Sequence, residues 1–152
     1  MRSALSDWTI RAAREADLDA LAAILVADPE TSWDRRSLAA ELATAWAHLD
    51  LLVDGETVLG FAAFWHVADE LQLLYIATHP DHLRRGVARR LLEHLRERVR
   101  VLDLERITLE VGANNRGAIA LYETGAFEVV GRRPGYYKRG VEDAILMTWT
   151  AR

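Results

Sequence analysis

No cysteine occurs in the 152 residues, so disulfides, thiolate zinc sites and any covalent intermediate on a cysteine are excluded. Lysine is almost absent. Lys138 is the only one among 19 basic residues, and the positive charge is otherwise carried by arginine, the better phosphate fork. Those basic residues face 23 acidic ones, for a net charge of −4 and a pI near 5.7. A general polyanion binder should be strongly basic, so no nucleic-acid partner is expected. The five histidines, at 48, 66, 79, 82 and 94, show neither H-x-x-x-H nor H-E-x-x-H spacing, and no metal site is expected. Met1–Asp7 has no apolar leader core and no run of 18 apolar residues occurs, which predicts a cytoplasmic protein without a membrane partner.

Three prolines and nine glycines are scattered as punctuation, with no linker, repeat or low-complexity tract. A chain of this length that is 51% hydrophobic can bury roughly 70% of its unfolded surface. A single domain over residues 1–152 is the expectation.

Periodicity predicts a strand at Trp8–Arg11, a helix over Glu15–Ala27 with Leu18, Leu21, Ala22 and Leu25 inward, and a stop at Asp28-Pro29. A second helix is expected from an Asp34 cap to Ala47, with Leu38, Leu42 and Ala45 or Trp46 inward. Asp54-Gly55 between apolar runs predicts a hairpin of Leu49–Val53 and Thr57–Val67. Leu71–Thr78 reads as a strand closed by His79-Pro80, followed by a helix over Gly86–Leu102. Val87, Leu91, Leu92, Leu95, Val99 and Leu102 form its apolar face, and Arg85, Arg89, Arg96 and Arg100 a solvated one. Ile107–Val111, Phe127–Gly131 and Ala144–Thr150 are expected strands, and Gly117–Thr124 a short helix. Strands separated by helices after residue 78 imply parallel pairing there, and hence a mixed α/β sheet.

The segment 71–92 carries the first chemical signal. An apolar strand enters a short basic loop, and the small residues Gly86 and Ala88 open a helix. Free amides at the positive end of a helix form an anion site, and Arg84, Arg85 and Arg89 add charge-assisted donors. The spacing is neither a P-loop nor a dinucleotide fingerprint. The second signal is segment 109–123. Alternation places Ile107, Leu109 and Val111 on one face and Thr108 and Glu110 on the other. A carboxylate near the end of an interior strand is a general-base candidate, or simply a solvated strand end. Tyr122, one helix later, is either a general acid or a core residue.

The arrangement resembles motif A of the GNAT acetyltransferases, [Q/R]-x-x-G-x-[G/A], with Gly86 and Ala88 in place and Leu83 where Gln or Arg is usual. With L-E-V-x-x-x-N at 109–115, A-I-A-L-Y-E at 118–123, Tyr136-Tyr137, E-D-A-I-L-M at 142–147 and Trp33, it resembles the ribosomal-protein-alanine N-acetyltransferase group, over residues 8–150. One further departure is Gly125-Ala126, where the group's Y-E-x-x-G-F places its glycine at 126; this bears on the local turn and not on Tyr122.

The resemblance implies the GNAT fold: a mixed, mostly antiparallel sheet of about seven strands flanked by about four helices, with parallel strands splayed at the acetyl-CoA site. It implies acetyl-CoA as co-substrate, Glu110 as base and Tyr122 as acid. Amides of Ile76, Ala77 and Thr78 would pair with pantetheine. Arg84, Arg85, Gly86, Val87, Ala88 and Arg89 would hold the pyrophosphate, and Asn115 would contact the cofactor. Trp33, Tyr136 and Tyr137 would contact the acceptor, with Tyr136 and Tyr137 on a Gly/Pro-rich loop. The implied reaction is acetyl transfer to a protein N-terminus, such as a ribosomal protein beginning with alanine. A lysine side chain, a small amine, or a non-catalytic acyl-CoA-binding module are the alternatives.

Overall fold

A computed structural model describes residues 7–151. The reading of Met1–Ser6 as lacking a leader core lies outside the described residues. Among the described residues no helix is long and apolar enough to cross a membrane. The described residues form seven strands and four α-helices: β1 (Trp8–Ala12), α1 (Leu18–Leu25), α2 (Arg35–Leu42), β2 (Ala47–Asp54), β3 (Thr57–Val67), β4 (Glu70–Thr78), α3 (Val87–Val101), β5 (Arg106–Gly112), α4 (Arg116–Thr124), β6 (Glu128–Tyr137) and β7 (Glu142–Thr150). The hydrogen-bonded order is β1-β2-β3-β4-β5-β7-β6. β4 and β5 are parallel, while the β1–β2, β2–β3, β5–β7 and β6–β7 pairs are antiparallel. The β4–β5 ladder runs from Glu70↔Arg106 to Leu73↔Leu109 and stops, although β4 continues to Thr78.

The residues cluster into two compact units. One holds the chain up to Trp65 with Tyr75–Leu91; the other holds His66–Leu74 and the chain from Leu92 on. In the first, Leu18, Leu21, Ile24 and Leu25 of α1 and Leu38 of α2 close over Leu49, Leu51, Phe61 and Ala63. Asp34 caps α2, its carboxylate accepting from the Ser37 amide at 2.8 Å. α2 nevertheless ends at Leu42 rather than near Ala47, because β2 already begins at Ala47. Trp46, expected inward, is 55% exposed. α1 is likewise shorter than expected, its first turn being a 3-10 segment at Glu15–Asp17.

That 3-10 turn is fixed by charge. Arg11 on β1 donates to both oxygens of Asp17, at 2.8 and 2.9 Å, and the Arg14 amide donates at 2.7 Å. The Arg11 bonds hold the Asp17 carboxyl at about 2, from an ordinary value of 3.8. A depressed folded-state pKa stabilises the protein above the unfolded value and is lost as pH falls through the folded one. Because Arg11 is partly exposed, the contribution at neutral pH is about 1–2 kcal/mol after solvent screening. Asp17→Asn should lose this at pH 7 and show a flatter stability profile between about pH 5 and 2. Equal denaturation midpoints for the two proteins across that window would refute the assignment.

In the second unit the alternation on β5 is as expected: Ile107, Leu109 and Val111 are buried with Ile145, Met147 and Trp149, their ladder partners on β7. The arginine face of α3 is only partly solvated. The Arg96 side chain is 12% exposed, donates to the Gly125 carbonyl at 2.9 Å, and its guanidinium lies 6.0 Å from the Trp149 ring centroid. Leu102, expected on the apolar face, follows the helix end and is 43% exposed.

The Gly125-Ala126 departure has a structural cost. Ala126 takes φ 69° after α4, while Gly125 sits at an ordinary φ of −84°. A Cβ at Gly125 would meet Arg96 Nη1 at 3.0 Å, so the close approach of the guanidinium suits a glycine at 125. The left-handed conformation costs an L-residue roughly 1–2 kcal/mol, partly offset by the chain entropy a glycine loses. Ala126→Gly should therefore stabilise by about 0.5–1 kcal/mol and raise the melting temperature by about 2 °C. Calorimetry checks this; a lower melting temperature contradicts it.

Candidate active site

The first unit contains the end of β4, the loop after it and the start of α3. His79 closes β4: its amide donates to the Leu59 carbonyl at 2.8 Å, and its ring Nδ1 accepts from the Asp81 amide at 3.0 Å. Arg84 (φ 62°) and Gly86 (φ 85°) both turn left-handed just before α3. Alternating right- and left-handed backbone is the geometry that aims successive amides at one anion. A strained arginine kept at such a position is common where ligands bind. A Cβ at Gly86 would meet nothing within 4 Å, so space lies open beside this backbone.

Arg84, Arg85 and Arg89 are all exposed, as a phosphate-binding role requires. Arg85 is also pre-oriented: its guanidinium lies 5.3 Å from the ring centroid of buried Trp8, and its Nη1 donates to His82 Nδ1 at 2.8 Å. Neither Trp8 nor His82 was singled out by the sequence. Val87 is buried and Ala88 half-buried, anchoring the first turn of α3. A Cβ at Gly60 on β3 would lie 2.5 Å from the Ala77 carbonyl oxygen and 2.6 Å from Val87, so glycine there lets β3 approach the end of β4.

Ile76, Ala77 and Thr78 line a cavity of about 290 Å³ with Ile24, Asp28, Tyr75 and Leu83. Tyr75 donates to Asp28 at 2.6 Å, and burial together with this bond pushes its hydroxyl far above the ordinary range. Trp33 stacks on Tyr75 at 5.5 Å. Trp33, Ile76, Ala77 and Thr78 are thus brought to one region, and the unusual Leu83 adds an apolar wall where the motif has a polar side chain.

In the second unit, Glu110 projects from the face of β5 opposite its core residues. Arg133 Nη2 donates to Glu110 Oε1 at 2.8 Å. Tyr122 is 7% exposed on α4, with Phe127 packed 5.7 Å away, and burial, then Tyr137, raises its hydroxyl to about 12. Asn115 caps α4, its side-chain oxygen accepting from the Ala118 amide at 3.2 Å. Below this turn Glu142 is buried and accepts from the Asn114 amide at 2.7 Å.

Tyr136 and Tyr137 lie on β6 rather than on a loop. The register shifts between Arg133 and Tyr137, which accommodates Pro134-Gly135. Asp143 ties the irregularity down, accepting from Arg132 Nε at 2.7 Å and from the Gly135 amide at 2.8 Å. The two tyrosine rings meet edge-on at 4.9 Å. Burial, then the Glu110 carboxylate, raises the Tyr137 hydroxyl above its ordinary value. Glu110, Tyr136 and Tyr137 therefore form one neighbourhood, with Arg133 as the member that sequence reasoning missed.

The sequence signature of the Acetyltransferase (GNAT) family matches residues 10–126, spanning the loop before α3 as well as Glu110 and Tyr122. The [ribosomal protein bS18]-alanine N-acetyltransferase of Salmonella typhimurium is 38% identical over 117 residues, covering 76% of this chain and 78% of that protein. The N-alpha-acetyltransferase RimI of Mycobacterium tuberculosis is 32% identical over 122 residues, covering 76% and 73%. The crystal structure of the ribosomal-protein-S18-alanine N-acetyltransferase from Escherichia coli superposes with a TM-score of 0.85 at 33% identity, over 95% of this chain and 94% of that one. Likeness of this extent is decisive: the chain belongs to the GNAT family and is an acetyl-CoA-dependent N-acetyltransferase.

Proposed function

We propose that the protein acetylates the N-terminal α-amine of another protein, a ribosomal protein beginning with alanine being the favoured acceptor. The observation that carries this reading is the 38% identity to an enzyme named for that acceptor, over three quarters of both chains. Residues 1–152 act in it as a single cytoplasmic domain, without metal.

The co-substrate supplies an activated acetyl thioester. The amides around Gly86 and the guanidinium groups of Arg84, Arg85 and Arg89 bind its pyrophosphate, with Val87 and Ala88 opening the helix beneath it. Amides of Ile76, Ala77 and Thr78 pair with its pantetheine arm, and Asn115 gives a further contact. Glu110 takes the proton from the attacking amine, and Tyr122 delivers one to the departing sulfur. Trp33, Tyr136 and Tyr137 line the path of the acceptor. The amine must attack neutral. An α-amine, with a pKa of about 7.7–8.0, loses its proton far more readily than a lysine side chain at about 10.4.

The test is acetylation, read by mass spectrometry, of peptides beginning with Ala, Ser or Met and of an N-terminally blocked peptide with an internal lysine. Modification of the Ala peptide at its first nitrogen is expected. Modification of the lysine peptide with the Ala peptide untouched overturns the proposal.

A further inference from the structure

We propose that Arg133 is a positioning residue for the reaction, holding the Glu110 carboxylate in the orientation from which it takes the amine proton. This rests on the reading of Glu110 as the base. Three observations carry it. Arg133 Nη2 donates to Glu110 Oε1 at 2.8 Å. The guanidinium carbon lies 5.0 Å from the Tyr136 ring centroid, a stacking arrangement that lysine reproduces poorly. And the backbone delivers Arg133 to this place on a paired strand rather than a loose loop, as the last residue in register before the shift toward Tyr137. Arg133 is paired with Ala144 of β7, and Ala144 with Gly112 of β5, two residues from Glu110 on the same face.

Pro134 further restricts Arg133 to extended backbone. An isolated surface ion pair contributes little, since two flexible side chains must be ordered to make it. Here the partner is ordered beforehand by the sheet and by Tyr136, so the bond acts on orientation. Because the guanidinium occupies Oε1, the transferred proton goes to Oε2. The N–H bond of the ammonium breaks, the O–H bond at Oε2 forms, and Arg133 itself exchanges no proton.

The decisive measurement is a double-mutant cycle in kcat. Arg133→Gln, and Arg133→Met, which keeps an apolar stem against Tyr136, should each lower kcat about tenfold, the size of one hydrogen bond to a charged group. KM for acetyl-CoA should stay unchanged, and Arg133→Lys should restore part of the loss. In a Glu110→Gln background the same Arg133 substitutions should change kcat less than twofold. Unchanged kcat in both Arg133 variants, or an equal loss with and without Glu110, overturns the proposal and leaves the base assignment standing. Full turnover in Glu110→Gln alone instead overturns the base assignment, and this inference with it.

Discussion

Glu110→Gln is expected to lower kcat by roughly 10²- to 10⁴-fold, the range for loss of a general base, while the affinity for acetyl-CoA stays nearly intact. Glutamine keeps the size and polarity of the side chain, and its carbonyl oxygen can still accept from Arg133. What it lacks is a basic oxygen. The carboxylate stands on the face of β5 opposite Ile107, Leu109 and Val111, so the substitution leaves that packing untouched. Steady-state kinetics with saturating acetyl-CoA and a titration of acetyl-CoA binding separate the two effects. Retention of full turnover would show that another group accepts the proton.

Tyr122→Phe should lower kcat by roughly 10²-fold or more. Burial raises the Tyr122 hydroxyl to about 12, so it remains protonated throughout the range in which the enzyme can be assayed. An acid must hold its proton before it can give it, and this environment ensures that. Phenylalanine keeps the ring that packs on Phe127, so the melting temperature should hardly move. Activity lost without stability lost identifies a chemical role for the hydroxyl. Unchanged kcat would leave Tyr122 as a core residue alone, the other reading its buried position allows.

Of the sequence's own signals, the most informative were local. The Asp34 cap, the Asp54-Gly55 hairpin, the apolar face of α3 and the alternation exposing Glu110 on β5 all follow from neighbours within a few residues. Capping, turn geometry and periodicity act over that range, which is why they are readable in one dimension. The coincidence of small residues with arginines at 84–89 is local too, and there the chain bends through left-handed Arg84 and Gly86.

Tertiary structure decided the rest. α2 stopped early because β2 claimed the chain at Ala47, and Arg96 left the solvated face because the Gly125 carbonyl and Trp149 were there to receive it. Ala126 carries a left-handed turn that its side chain disfavours. Tyr136 and Tyr137 became strand residues because Asp143, on the adjoining strand, holds the chain through Pro134-Gly135. The scarcity of lysine makes arginine the expected partner for an anion, but nothing in it points to Arg133 beside Glu110. Arg133 is 23 residues from Glu110, and no spacing rule joins them. Only the registers of β5 and β6 on β7 set the two side chains side by side, and strand register is fixed by burial across the whole sheet, not by the residues it brings together.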